Sequence, residues 1–383
     1  MNADRAVVPY ARLSLFYFFY FGVLGALLPY WAVLLNHRGF SAAEIGELMA
    51  LLLGTKIIAP NLWGWIADHT GLHMPIVRAA SFLALFGFLG VFWAQGFWTM
   101  AAVMAFYGFF WNAALPQFEA VTLNHLGVAH HRYSVVRLWG SVGFIASVAS
   151  VGLLLEVYGP EALPWAMTGL FLGIGLSSLS VPDGPRAEAH QEHGPLWGVI
   201  RRPQVLALLV VVFLLQASHG PYYTFYTLYL DGHGYGAQMI GTLWALGVAA
   251  EIGVFLAMDR FMGRYGPYRL MAATLGLTAL RWALIAEFPN SPALLLAAQL
   301  LHAASFGIGH AVAIHWIHRF FRGSHQARGQ ALYSSVSFGA GGAAGNLFSG
   351  YLWDAAGPGP TYLLAAGVAL AALAVAWLGL RER

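Results

Sequence analysis

Long apolar runs, each separated from the next by a short polar segment, recur along the whole 383-residue chain. A run of about 20 apolar residues is long enough to cross a lipid bilayer as an α-helix. The runs and the turn signals between them predict an all-α membrane protein with twelve transmembrane helices. The predicted spans are 10–35, 43–67, 74–95, 98–124, 134–157, 161–181, 204–230, 237–259, 268–287, 292–317, 327–354 and 361–380.

One polar interruption is much longer than the others. It reads VPDGPRAEAHQEHGPLWGVIRRPQ, from about residue 181 to 204, and six predicted helices lie on either side of it. We therefore expect an N-terminal six-helix bundle over 1–181, a cytoplasmic linker over 182–203 and a C-terminal six-helix bundle over 204–383.

The two predicted bundles share a sequence repeat. GFSAAEIGEL at 39–48 matches GYGAQMIGTL at 234–243, which is an offset of 195 residues. Parallel repeats of this kind build transporters whose binding site lies between the two halves, near the middle of the membrane. The same offset also pairs Gly25 with Gly220, Gly71 with Gly266 and Lys56 with Glu251.

The composition agrees with a membrane protein, because 59% of the residues are hydrophobic and only 9% are charged. The formal net charge of +3 comes from basic residues in short loops, so we expect no nucleic-acid partner. The absence of cysteine excludes disulfides and thiolate metal sites. We expect no metal, no cofactor and no enzyme activity. The expected partners are a small-molecule solute, protons and the lipid bilayer, and the expected state is a monomer.

Basic residues are distributed unevenly between the two sets of loops. If the N-terminus is cytoplasmic, Arg38 lies in an outer loop, whereas Arg78, Arg132 and Arg260 lie in inner segments with most of the other arginines. Loops rich in arginine stay on the cytoplasmic side. We therefore expect a multi-pass protein of the bacterial inner (plasma) membrane with both termini cytoplasmic.

Several ionisable residues lie inside the predicted spans. Such a side chain costs roughly 2.5–3.5 kcal/mol to insert at the bilayer centre, so each one is a candidate functional residue. Once loop residues are set aside, the candidates are Lys56, Glu119, Arg137, Glu251 and Arg281, with His302 as a titratable addition.

In the first half, Glu119 and Arg137 are both nine residues from Val128, the centre of the loop between their helices. Equal distance from the loop predicts similar depth, so we expect the two charges to meet. Asn112 lies two turns before Glu119 and Phe144 two turns after Arg137, on the same helix faces. These residues are predicted to form one wall of a binding site.

In the second half, the segment LLQASHGPYYTFYTLYL supplies a stripe of hydrogen-bonding aromatic residues. An arginine and a glutamate in neighbouring helices could instead form a structural clasp, and the tyrosines could be ordinary packing residues. The stripe consists of His219, Tyr222 or Tyr223, and Tyr226 at helical spacing.

Five strings of the sequence are distinctive: VRLWGSVGF, LLQASHGPYYTFY, GTLWALGVAAE, LRWALI and QLLHAASF. Through them the chain resembles the 3-phenylpropionate permease family, which is related to lactose permease in the oligosaccharide:proton symporter branch of the major facilitator superfamily. The resemblance covers essentially the whole chain. It implies the major facilitator fold, with 12 transmembrane helices in two six-helix bundles that work by alternating access around a site between them.

The resemblance also implies roles for single residues. Glu119 in PQFEA and Arg137 in VRLWG match residues that bind substrate in the symporter. Arg281 matches the arginine of its ninth helix. Glu251 and His302 match a glutamate of the eighth helix and a histidine of the tenth helix in the symporter. Glu119, Glu251 and His302 are the residues that we expect to take part in proton coupling, because a buried carboxyl group beside an arginine can bind a proton when the solute competes for that arginine.

Other matches to the pattern are partial. GWIADHTG resembles the gating loop of the superfamily through Gly64, Asp68 and Gly71. Ser305 stands where the symporter has its proton-carrying glutamate, and Phe144 stands where it has a tryptophan that stacks on sugar. The second departure weakens the case for a sugar.

The charges favour an anionic solute. Three bases minus two acids leave the candidate site with a net charge of +1. Our hypothesis is a proton-coupled symporter of a small aromatic carboxylate such as phenylpropionate, with the carboxyl group bound by Lys56, Arg137 or Arg281. The ring is expected to contact Phe144, Trp139, Tyr222 and Tyr223.

Two alternatives stay open. A sugar or nucleoside symporter would also use Glu119, Arg137 and His302 to bind a neutral polyol. A non-transporting membrane sensor or assembly factor could be built on the same fold.

Overall fold

The computed structural model describes residues 8–183 and 197–381. Within these ranges the chain is almost entirely helical, and no β-strand occurs there. The first half contains α1 (Tyr10–His37), α2 (Ala42–Thr70), α3 (His73–Leu89), α4 (Phe97–Leu126), α5 (Tyr133–Tyr158) and α6 (Leu163–Ser180).

The second half repeats this series with more interruptions. A short helix, Trp197–Ile200, precedes α7, which consists of Pro203–Ser218 and Gly220–Asp231 joined at His219. The helix Ala237–Glu287 is broken at Gly266, and we name its parts α8 (237–265) and α9 (267–287). The remaining helices are α10 (Pro292–Phe320), with a π-helical segment at Ala303–Ile308; α11 (326–356), with one at Ser335–Gly341; and α12 (Pro358–Gly379).

The prediction of an all-α membrane protein is confirmed, because a helical segment covers each predicted span. Eight of the described helices are long and apolar enough to cross a membrane, and one of them, Ala237–Glu287, contains two predicted spans. The helices α2, α4 and α11 fall outside the eight, and each carries polar residues within its length. The number of membrane crossings and the bundle boundaries therefore stay predictions. Residues 184–196 of the predicted linker lie outside the described residues.

The repeat has a counterpart in the backbone. Every described residue with a positive φ angle is a glycine at a connection between helices, and these glycines form pairs in equivalent connections of the two halves. Only glycine adopts this conformation without strain, so both halves fix their turns in the same way. Two pairs lie in the predicted register, and two are shifted from it by one and three residues. The pairs are Gly39 with Gly234, Gly71 with Gly266, Gly127 with Gly323, and Gly159 with Gly357.

Apolar side chains form three buried clusters. One lies in the first half around Phe16 and Phe88, and a second lies in the second half around Leu208 and Trp316. The third cluster joins Phe144 and other α5 residues to aromatic residues of α7 and α8. The two halves therefore share part of their core, and they also touch where α2 packs on α11 and α1 packs on α7.

The start of α2 is held by groups from both halves. Ser41 caps the helix within its own half, because its hydroxyl accepts from the Glu44 backbone N–H at 3.2 Å. The Asp354 carboxylate of α11 accepts from the backbone N–H groups of Ala42 at 3.3 Å and Ala43 at 2.9 Å. A carboxylate at a helix N-terminus satisfies free N–H groups and the helix dipole together. This contact joins the halves at the predicted outer end.

One turn further along α2, Gly46 allows the backbones of α2 and α11 to touch. A Cβ atom at Gly46 would lie 2.6 Å from the carbonyl oxygen of Asn346 and 2.9 Å from the Cα of Gly350. Both neighbours are backbone atoms, which cannot rotate away. A larger residue would have to separate the helices.

We expect Gly46→Leu to destabilise the protein by about 1–3 kcal/mol through overpacking, seen as a lower apparent unfolding temperature in detergent. The control is Gly54→Leu in the same helix, where a Cβ atom would meet nothing within 4 Å. Equal unfolding temperatures for the two variants would contradict the close contact.

Candidate functional site

Arg281 is the most deeply buried charge in the second half, with 0% of its surface exposed. Its Nε donates to the Ala298 carbonyl at 2.9 Å, and its Nη1 donates to Ser305 Oγ at 3.1 Å. A weaker bond runs from Nη2 to Gln299 Oε1 at 3.3 Å, and the Tyr222 ring lies 4.1 Å from the guanidinium carbon. Neutral acceptors and an aromatic face thus replace the carboxylate that usually accompanies a buried arginine.

A fourth hydrogen bond of Arg281 sets the orientation of His302. Arg281 Nη1 lies 3.0 Å from His302 Nδ1, and arginine can only donate, so Nδ1 is the acceptor. The neutral ring then carries its proton on Nε2, which faces Glu251 Oε2 at 3.5 Å. The three residues form a chain in which a histidine connects an arginine to a glutamate.

Small residues bring α8 and α10 close enough for this chain to form. A Cβ atom at Gly247 would lie 3.3 Å from Gln299 Oε1, and one at Gly307 would lie 3.2 Å from Glu251 Cγ. The π-helical segment Ala303–Ile308 begins directly after His302. Such segments occur frequently at functional sites.

In the first half, the predicted contact between Glu119 and Arg137 is wrong as a direct ion pair. Glu119 Oε1 accepts from the Tyr133 hydroxyl at 3.2 Å. The Arg137 guanidinium lies over the Phe21 ring, 3.7 Å from its centre. Gly140 makes this possible, because a Cβ atom there would lie 2.7 Å from Arg137 Nη1. Similar depth brought the two charges near each other but did not determine where the arginine points.

Arg137 nevertheless connects the two halves electrostatically. Its charge acts on Glu119 of its own half and on Glu251 and His310 of the other half. Arg137 therefore lies where α5 of the first half packs against α8 of the second half. Lys56 makes no hydrogen bond or ion pair with any described residue, and its neighbour Ile57 packs against Gly339 of α11.

None of the three basic candidates is neutralised by direct contact with an acid. Within the described part of the chain, the side chains with a basic nitrogen within 4.0 Å of a carboxylate oxygen include Arg38 with Glu161, Arg78 with Asp183 and the neutral ring of His302 with Glu251. Lys56, Arg137 and Arg281 are not among them. The positive charges of these three side chains are therefore not cancelled by a carboxylate in direct contact.

Several predicted contact residues have partners within the protein, and their contact with a solute stays a prediction. Asn112 is buried and donates to Thr55 Oγ1 at 2.8 Å, which ties α4 to α2. His219, Tyr222 and Tyr226 are buried beside Trp282 or Trp244, and the Tyr222 hydroxyl donates to Gln299 Oε1 at 3.0 Å.

Three other ring residues differ in exposure. Phe144 is buried in the cluster shared by the halves, whereas Tyr223 is half-buried. Trp139 is exposed on a groove between α1 and α5 that Tyr10 and Phe18 also line. Direct contact of any of these residues with a solute stays a prediction.

The predicted gating loop closes the end of α2. Gly71 ends the helix in the left-handed conformation, with φ 68°. Asp68 is exposed, and Gly64 lies near Gln117, which is hydrogen-bonded to His73 at 2.9 Å. The gating role stays a prediction.

An aromatic column on α10 was only partly predicted. The rings of His302, Phe306 and His310 lie nearly parallel, with centres 5.6 Å and 6.0 Å apart. His310 Nδ1 is 2.8 Å from the Tyr333 hydroxyl of α11, and Phe338 lies beside the column. The spacing of four residues could have revealed the column. Nothing in the sequence alone pointed to Phe21, Tyr133 or Tyr333.

Two helical halves related by a repeat, with buried charged side chains in both, define the class of transporters with the major facilitator fold. Residues 10–364 match the MFS_1 like family, and the chain belongs to that family.

The similar proteins are transporters. The chain is 30% identical over 364 residues to the "Probable 3-phenylpropionic acid transporter" of Escherichia coli (strain K12), covering 92% of this chain and 93% of that protein. It is 28% identical to the "Maltose permease" of Geobacillus stearothermophilus, over 91% of this chain and 89% of that protein. The crystal structure of the nucleoside transporter NupG matches with a TM-score of 0.86 at 16% identity, covering 98% of this chain and 99% of that chain.

The contact between Arg281 and His302 leads to a prediction about stability. His302→Leu leaves Arg281 Nη1 without one buried acceptor, which we expect to cost about 1–3 kcal/mol. His302→Asn places an amide oxygen near the position of Nδ1 and should cost less. Apparent unfolding temperatures in detergent test the order, and a His302→Asn variant as unstable as His302→Leu would contradict the assigned acceptor.

Proposed function

We propose that the protein is a proton-coupled symporter of a small aromatic carboxylate such as 3-phenylpropionate, acting as a monomer. The two halves rock around the region that contains the charged residues. The observation that carries the proposal is that the basic side chains of Lys56, Arg137 and Arg281 have no carboxylate in direct contact among the described residues. A site with surplus positive charge in a low-dielectric setting favours an anion.

Different residues are proposed to contact the carboxyl group of the solute and its aromatic ring. Arg137 is the best candidate for the carboxyl group, because its present partner is the Phe21 ring and its guanidinium keeps its donors for an anion. Lys56 is a second candidate. Phe306 and Phe338, which lie 6.0 Å apart in α10 and α11 and are only half-buried, offer an apolar contact for a ring.

The proposed coupling depends on charge compensation. The charge of Arg137 acts on Glu119 and Glu251. An incoming carboxylate that engages Arg137 takes this compensation away, so one glutamate then binds a proton. Glu251 is the favoured carrier, because its carboxylate faces the Nε2–H of a neutral His302 at 3.5 Å rather than an arginine, so its protonation breaks no ion pair with an arginine.

The similar proteins support the solute class in part. One carries 3-phenylpropionic acid in its name, whereas others carry maltose or a nucleoside. A sugar or nucleoside symporter is therefore the second candidate. The hydrogen-bonding groups of Glu119, Tyr133 and His302 would suit hydroxyl groups of such a solute.

We further propose the bacterial inner membrane as the location, with both termini in the cytoplasm. The support is the excess of arginine in alternate loops. This orientation puts the contact between Asp354 and the start of α2 on the outer side.

Uptake into proteoliposomes tests the solute class. We expect labelled 3-phenylpropionate to accumulate under an inward proton gradient. The neutral amide 3-phenylpropanamide should enter at least about ten-fold more slowly, which corresponds to about 1.4 kcal/mol of discrimination. Maltose and uridine serve as the competing solutes. Uptake of a neutral solute in preference to the acid would favour the second candidate, and movement of none of them would contradict both.

The coupling role of Glu251 has a separate test. We expect Glu251→Gln to lose accumulation driven by the proton gradient while it still exchanges labelled for unlabelled solute, because the neutral amide cannot carry a proton. Glu287→Gln, at an exposed position at the end of α9, is the control. If Glu251→Gln and Glu119→Gln both keep gradient-driven accumulation, the assigned coupling is wrong.

A further inference from the structure

A basic cleft lies at the end of the second half that is predicted to face the cytoplasm. It forms where the segment around Arg202 meets the connection between α10 and α11, and its volume is about 520 Å³. The polar residues that line it are Arg202, Gln204, Arg319, Arg322 and His325. This cleft is distinct from the charged region between the halves, since none of its lining residues belongs to that region.

The chemistry of the lining suits a phosphate group. Three guanidinium groups and a histidine surround the cleft, and no aspartate or glutamate is among the described residues that line it. Guanidinium groups bind phosphate oxygens through paired N–H donors, which makes arginine the preferred residue for phosphate. Arg322 Nε also donates to the Arg319 carbonyl at 3.2 Å, which holds the two arginines next to each other.

An apolar surface begins directly beside the cleft. Arg202 directly precedes α7, and Leu206 and Val210 lie four residues apart on one face of that helix. Leu206 is 47% exposed and Val210 is 44% exposed. On a helix that spans the membrane, exposed leucine and valine side chains contact lipid chains. The cleft therefore lies at one end of a strip that is suited to an acyl chain.

Trp197 indicates the depth of the cleft in the membrane. Its ring is 66% exposed, and the Arg201 guanidinium lies 5.9 Å from the ring centre. Exposed tryptophan next to arginine is typical of the membrane–water interface, where lipid headgroups lie. A soluble phosphate would need the basic cleft alone, whereas a phospholipid would use the cleft and the apolar strip together.

We propose that this cleft binds the phosphate headgroup of an anionic phospholipid of the cytoplasmic leaflet, with an acyl chain along Leu206 and Val210. Basic pockets between helices on the cytoplasmic side have the charge that such lipids require. The bound lipid connects the start of α7 to the α10–α11 connection, and so it couples two helices of the same half at the membrane surface.

The test uses the full-length protein purified in detergent and titrated with phosphatidylglycerol. Retained lipid is counted by native mass spectrometry. The variant Arg202→Gln/Arg319→Gln/Arg322→Gln should bind phosphatidylglycerol at least about ten-fold more weakly than the natural protein does. The control variant, Arg260→Gln/Arg264→Gln/Arg269→Gln, removes three exposed arginines around the α8–α9 break and should bind as the natural protein does.

Further arms separate the possible sources of the phosphate. Phosphatidylcholine tests a lipid without net charge, and inorganic phosphate tests a soluble anion. Equal binding of the two lipids, equal binding by the two triple variants, or complete competition by millimolar inorganic phosphate would each overturn the proposal. If the triple variant does not fold, the single variants Arg202→Gln and Leu206→Asn take its place, and both should weaken phosphatidylglycerol binding.

Discussion

The structure depends on how a charge is held in a medium that cannot solvate it. Arg281 has 0% exposure, and its guanidinium is compensated by a backbone carbonyl, Gln299, Ser305 and His302 rather than by a carboxylate. A buried arginine bound to a buried glutamate would neutralise both residues and leave neither for function. Because Arg281 uses neutral acceptors, Glu251 stays outside a direct arginine contact and faces Arg281 only through the neutral ring of His302. The choice of acceptors for one cation thus keeps an acid available.

The two halves share their backbone but not their chemistry. Pairs of glycines with positive φ angles, such as Gly39 with Gly234, fix equivalent turns in both halves. Lys56 and Glu251 occupy equivalent positions in the repeat yet carry opposite charges. The same contrast separates the arginines: Arg137 lies over an aromatic ring, whereas Arg281 lies in a network of hydrogen bonds. A symmetrical frame therefore encloses an asymmetrical site, and only an asymmetrical site can bind a solute with one charged end and one apolar end.

The helices and the repeat could be predicted from the sequence because they follow from strong local rules. An apolar run of about 20 residues has few alternatives to a membrane helix, and glycine marks the turns. The direction of a side chain follows weaker rules. Glu119 and Arg137 were expected to touch because they lie at similar depth. The guanidinium of Arg137 lies over the Phe21 ring instead, in space that is open because Gly140 has no side chain. Asn112 was expected in the same wall, and the sequence did not indicate that its side-chain amide donates to Thr55. Such choices depend on helix rotation and on neighbours far away in the sequence.

The different partners of Arg281 and Arg137 indicate which arginine can respond to a solute. Removing Arg281 from its place would leave several buried acceptors unsatisfied, each at a cost of about 1–3 kcal/mol. Moving Arg137 would cost a contact with one ring, and cation–π contacts are worth about 0.5–2 kcal/mol. A carboxylate that offers two charge-assisted hydrogen bonds can outweigh the ring but not the network. Arg281 is therefore suited to a fixed role that orients His302. Arg137 is suited to a mobile role, because its partner can be exchanged for an anion without leaving a polar group unsatisfied.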